Sequence, residues 1–97
     1  MHVISIKKLR LFWETHPDAE QALRAWYTVA KHARWRTPAD IKTDYRSASF
    51  IGNSRVIFNI KGNVYRLIVI VEYQHDVVFV RFVGTHQEYD RIDPETV

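Results

Sequence analysis

Hydrophobic positions change their period twice along this chain. Met1 to Ile6 alternates weakly, with Val3, Ile4 and Ile6 apolar, and predicts a short strand. Lys7 to His16 switches to helical spacing: Leu9, Phe12, Trp13 and His16 fall on one face, and Ser5 stands where a helix cap belongs. Pro17 breaks that helix. Asp18 and Gln21 have capping-box spacing for a second helix running to about Ala33. Its stripe is Ala19, Leu23, Trp26, Tyr27 and Ala30, the pattern of a single buried face. The two helices predict a hairpin whose tryptophan-rich side needs a sheet to cover.

Arg34 to Ser54 is the least regular part. Thr37, Pro38 and Asp40 predict the start of one short helix, anchored by Ile41 and Tyr45; Ser47, Ser49, Gly52 and Asn53 read as loop. The period then drops to two or vanishes into apolar runs. Arg55 to Ile60, Val64 to Tyr73 and Val77 to Val83 predict three strands, with turns at Lys61-Gly62-Asn63 and at Gln74-His75-Asp76. Gly84 is expected to end the last strand. Thr85 and Glu88 then have capping-box spacing for a helical tail that Pro94 stops.

The expected architecture is α+β: one domain over residues 1–97, with an N-terminal strand and a helix hairpin packed on a mainly antiparallel four-stranded sheet, and a short C-terminal helical tail. The long strands are apolar on both faces, so both are covered. Helices cover one. The middle loop or the tail must cover part of the other and leave a groove.

Arg66 and Arg81 interrupt those apolar strands. A charge in such a run must be paired or must face an opening. Arg66 shares its face with Ile68 and Ile70, and Arg81 shares its own with Phe79 and Val83. A two-residue turn between the strands pairs Ile70 with Arg81 and puts both arginines on one face; a three-residue turn separates them. His86 and Tyr89 follow, three apart, on one face of the tail if it is helical. Asn59, Lys61 and Asn63 cluster at one turn and suit a phosphate or a base edge.

These groups suffice for RNA cleavage without a metal. Histidine moves a proton, tyrosine orients an oxygen, and arginine stabilises a developing phosphorane. Each also has a plainer reading. Arg66 and Arg81 can pair with Glu72 or Asp90, and His86 and Tyr89 can serve as tail anchors. His2, His16, His32 and His75 lie in different elements, without metal-ligand spacing.

Composition narrows the classes. There is no cysteine, which excludes disulfides, thiolate zinc sites and cysteine nucleophiles, and which suits a cytoplasmic setting. No secretory signal is visible, and the longest apolar run, Leu67 to Val71, is too short to span a bilayer. The net charge is +3, but it is unevenly spread. Residues 1–36 carry seven Lys/Arg against three Asp/Glu, and residues 37–97 carry seven against eight. A positive helix face can steer RNA, or dock an acidic protein.

The runs FNIKGNVYRLIVIVEY and VFVRFVGTHQEYDRI, with the opening MHVIS and the segment HPDAEQALRAWY, resemble HigB-type toxins. The resemblance covers His2 to Ile92. It implies the RelE-like superfamily: an antiparallel sheet wrapped by an N-terminal helix pair, acting as a ribosome-dependent endoribonuclease on translated mRNA. It also implies neutralisation by a cognate HigA-like helix-turn-helix antitoxin. By position, Arg66 matches the superfamily's strand arginine, His86 its late basic residue, Tyr89 its late tyrosine, and Lys61 the basic residues that grip RNA. Arg81 has an apolar counterpart in other branches, and those branches use several lysines and arginines where this chain has one late histidine. A related branch poisons DNA gyrase instead. The expected catalytic set is therefore Arg66, His86 and Tyr89, with Asn59, Lys61, Asn63 and Arg81 on RNA and no cofactor. The rival is a non-catalytic growth inhibitor or an RNA-binding module.

Overall fold

In a computed structural model describing residues 1–97, five strands form one sheet. They are β1 (His2–Ile4), β2 (Ser49–Ile51), β3 (Arg55–Ile60), β4 (Tyr65–Glu72) and β5 (Val77–Thr85), in the order β1-β5-β4-β3-β2. β1 pairs parallel with β5 and the other pairs are antiparallel. The helices are α1 (Lys7–Thr15), α2 (Glu20–His32), α3 (Pro38–Asp44) and α4 (His86–Tyr89). The α+β class stands, with five strands rather than four. The extra one is β2, read as loop: three residues, Ser-Phe-Ile, are too few to show a period. Asn53 and Ser54, both at positive φ (62° and 60°), turn it into β3.

One face of the sheet meets the helices. Val56, Phe58 and Ile60 from β3, Leu67, Val69 and Val71 from β4, and Val78 and Val80 from β5 pack there against Leu9, Leu23, Trp26 and Ala30. The aromatic stripe of α2 is thus core. Trp35, from the irregular stretch, joins it, stacked on Phe58 at 6.1 Å with its indole N–H donating to Asp44 Oδ2 (2.9 Å).

Caps differ from expectation at the first two helices and agree at the last two. Ser5 does not cap α1 with its side chain. It takes φ 69° and its main-chain oxygen accepts from Lys8 N–H (3.1 Å). Asp18 does not cap α2 either, because a 3-10 turn at Pro17–Ala19 intervenes and its carboxylate is drawn to Lys61 and Tyr65. Thr37 with Asp40, and Thr85 with Glu88, form full capping boxes on α3 and α4.

The β4–β5 connection settles the facing of the arginines. It has four residues, a 3-10 turn at Tyr73–His75 and then Asp76 at φ 55°, so Ile70 pairs with Phe79 rather than Arg81. A bulge follows. Ile68 pairs with Phe82 but Val69 with Val80, which leaves Arg81 as the extra residue. Arg81 keeps the face of Phe79, the same face as Arg66. Val83 is displaced to the core side, where it packs on the helix-covered cluster.

The C-terminal segment crosses this second face. Arg55 Nη2 (2.8 Å) and Arg81 Nε (3.3 Å) both donate to the Val97 main-chain oxygen, and Asn53 Nδ2 donates to that of Glu95 (3.0 Å). Ile57 and Ile68 are buried on this side, outside the main core. No helix is long and apolar enough to cross a membrane.

Candidate active site

The site lies where β4, β5 and α4 meet on the second face. The register lines Asn59, Arg66 and Gly84 in one row across β3, β4 and β5. β5 runs through Gly84 to Thr85 instead of stopping at the glycine. A Cβ on Gly84 would lie 2.5 Å from Phe82 Cζ and 3.2 Å from Glu88 Cβ, so a side chain here would push the Phe82 ring aside and crowd α4. Thr85 then starts α4 at once: its Oγ1 accepts from Glu88 N–H (3.2 Å), and its own N–H donates to Glu88 Oε1 (2.9 Å).

That cap fixes His86 and Tyr89 on successive turns. The Tyr89 ring covers the Arg66 guanidinium, 4.6 Å from carbon to ring centroid. His86 Nε2 donates to the Asn63 carbonyl oxygen in the β3–β4 turn (2.5 Å). A carbonyl only accepts, so Nε2 carries a proton, and Nδ1 is the nitrogen left for proton transfer.

Arg66 is the unusual member. Its Nε is buried without a hydrogen-bond partner. Neither Glu72 nor Asp90 pairs with it; the chain's two ion pairs are Arg24–Glu20 and Lys61–Asp18. A half-buried guanidinium without a carboxylate keeps its charge and its donors for a ligand.

The sequence-derived set is thus partly united. Arg66, Tyr89, His86, Asn59 and Asn63 gather around one corner. Arg81 is on the same face, held by the tail. Lys61 is not among them, since its ammonium lies 2.8 Å from Asp18 Oδ2, beside helix-side residues. There the Tyr65 hydroxyl donates to the same carboxylate (2.6 Å). Donation from Lys61 first and Tyr65 second holds the Asp18 carboxyl below its usual range, and the same bond raises the Tyr65 hydroxyl.

Arg55 escaped the sequence reading, although it is the buried charged residue of the chain. Period-two facing from Asn59 through Ile57 could have found it, since those three share the face of Arg66. Two hollows lie away from this corner: a cleft of about 720 Å³ at the β1 edge, and a groove of about 210 Å³ between α1 and α2. Neither is the groove expected at the tail. No group of three histidine or acidic side chains converges as metal ligands would.

The chain is 26% identical over 94 residues to a protein called mRNA interferase HigB from Escherichia coli O6:H1, covering 95% of this chain and 91% of that one. It is 27% identical over 92 residues to the mRNA interferase toxin HigB of Escherichia coli K12, covering 93% and 88%. A relative in Shigella flexneri, also called mRNA interferase HigB, gives the same figures. The model of the HigB_toxin family, described as the RelE-like toxic component of a toxin–antitoxin system, matches residues 19–92, most of the sheet and the whole Arg66 corner included, and the chain belongs to that family.

Proposed function

We propose that this toxin is a ribosome-dependent endoribonuclease that cleaves mRNA in the cytoplasm, and that a HigA-like helix-turn-helix antitoxin neutralises it. The names of the relatives support cleavage of mRNA. The observation that carries the site assignment is the Arg66 guanidinium, free of any carboxylate and flanked by Tyr89, next to a histidine whose tautomer is set.

The chemistry follows from those groups. The ribose 2′-oxygen attacks the adjacent phosphorus as its proton leaves. The bond from phosphorus to the 5′-oxygen breaks, and that oxygen takes up a proton. The products are a 2′,3′-cyclic phosphate and a 5′-hydroxyl. His86 Nδ1 carries the proton, Arg66 binds the phosphorane oxygens, and the Tyr89 hydroxyl orients the substrate. Asn59, Asn63 and Arg81 hold the RNA. Lys61 reaches it only by leaving Asp18. With so few acids and bases, placement of the message by the ribosome contributes part of the rate.

Mapping of message 5′ ends after brief expression tests this. The wild type is expected to create new ends and to halt growth. His86→Ala and Arg66→Ala, checked for folding by circular dichroism, are expected to lose about 10²–10⁴-fold in cleavage and to restore growth. Growth arrest without new ends would favour a non-catalytic inhibitor, and full toxicity of both variants would remove the site assignment.

A further inference from the structure

The cleft at the β1 edge is far from the Arg66 corner and has its own chemistry. The end of α2 and the segment after it supply Lys31, His32, Arg34 and Arg36; β1 supplies His2; the β4–β5 turn supplies His75. The one acidic group lining it is Asp76. Three permanent cations against one carboxylate is a surplus of two, out of a net charge of +3 for the chain. The basic excess of residues 1–36 is thus folded partly into one hollow.

These cations are only lightly engaged inside the protein: Asp40, which accepts from the Arg36 main-chain N–H (2.9 Å), is the carboxylate that feels the Arg36 charge. Lys31, Arg34 and Arg36 form no ion pair. Lys31 Nζ rests over the Tyr27 ring, 5.8 Å from its centroid. His32 Nδ1 donates to the Thr28 carbonyl oxygen (2.9 Å), which leaves Nε2 for an outside partner. Like charges gathered in a hollow repel one another, and a polyanion relieves that repulsion.

We propose that this cleft binds the phosphate backbone of RNA as a second anchor point, an inference that rests on the RNA-directed reading above. Planar guanidinium forks fit phosphate oxygens, and the Lys31 ammonium adds single donors. Arg66 and Glu72 are six positions apart on β4, roughly 20 Å at ~3.3 Å per residue, and the cleft begins beyond Glu72 and toward β1. A strand reaching both places must pass round the β1 edge of the sheet and therefore needs more than about six stacked nucleotides at ~3.4 Å each. The cleft positions RNA and takes no part in bond breaking.

Fluorescence anisotropy with a labelled 2′-O-methyl RNA oligonucleotide tests this, since that probe binds but cannot be cut. In the full chain, Lys31→Gln/Arg34→Gln/Arg36→Gln is expected to weaken binding about tenfold or more at low salt. It is also expected to flatten the log Kd against log salt slope by about two, from ~0.7 per lost phosphate contact on a single strand. All three side chains are exposed, and a thermal melt matching the wild type confirms folding; Arg34→Glu alone is the backup. Unchanged affinity and slope would overturn the proposal. So would poly-glutamate displacing the probe as well as unlabelled RNA of equal charge, which would assign the cleft to acidic proteins. Loss of binding in the cleft variant, even where His86→Ala still cuts, would uphold the cleft and reject only the catalytic assignment.

Discussion

The two faces of this sheet solve opposite problems with the same backbone period. The helix-covered face carries Val56, Phe58, Leu67, Val69 and Val80, and every one is buried. The other face carries Arg55, Asn59, Arg66 and Arg81 between Ile57 and Ile68. The difference lies in the cover. A helix presents side chains and keeps its carbonyl oxygens in its own ladder, so a guanidinium facing it would lack acceptors. The irregular C-terminal segment has main-chain oxygens to spare, and Arg55 and Arg81 use one of them. Arg66 lies beyond that oxygen, under Tyr89 alone. A charge can stand free here because its only cover is one ring from the four-residue α4, not the packed face of a long helix.

Truncations on the two faces give the sharpest break of that contrast. Phe58→Ala removes an aromatic ring that packs against Trp26, Trp35 and Tyr45. The expected loss is about 3–5 kcal/mol, a large part of the ~5–15 kcal/mol that holds a domain together. Arg66→Ala, on the strand beside it, loses only a contact with one ring, worth about 0.5–1 kcal/mol. Urea unfolding of both variants checks the ranking. A reversed order would mean that the second face, not the first, holds the fold.

Gly84→Ala tests the seam between the faces. The added methyl group collides with the Phe82 ring and crowds Glu88, and overpacking of this kind costs about 1–3 kcal/mol. The same shift moves α4, so cleavage is expected to fall further than stability alone explains. Equal cleavage per folded molecule would show that α4 need not sit this close to Arg66.

Much of this was legible in the chain. The helix stripes, three long strands, the Thr37 cap and the Thr85–Glu88 capping box rest on local rules that the fold obeys. What stayed hidden depends on long-range pairing. Asp18 has the spacing of a cap, yet Lys61 and Tyr65, more than forty positions away, claim its carboxylate. Lys61 was expected beside RNA for its place before β4, and the same distant partner draws it to the helix side. Arg81 shares the second face with Arg66 only through a four-residue turn and a bulge that no periodicity announces. Part of the corner was readable: the Tyr89 ring reaches Arg66, and His86 reaches the β3–β4 turn, because a capping box follows the strand at once, and that box is written in Thr85 and Glu88.

The smallest expected effect belongs to the helix side, where Asp18 ties Lys61 and Tyr65 down. The Asp18 carboxyl is held below its ordinary value, so its contribution is fully present above the unfolded-state pKa, about 3.9, and is lost as pH falls through the lower folded value. The Tyr65 hydroxyl is raised, so its contribution is fully present below about 10 and is lost as pH rises through the higher folded value. The stability difference between wild type and Asp18→Asn should therefore form a plateau between about pH 5 and pH 9 and shrink beyond both ends. Because Asp18 is exposed, the plateau should be low, and lower still in high salt. Urea unfolding across pH measures it. A difference that stays constant from pH 3 to pH 11 would mean that neither bond survives in solution. Lys61 would then be free to swing toward Asn63, and the division between a tied helix side and a free arginine side would no longer hold at this end of the sheet.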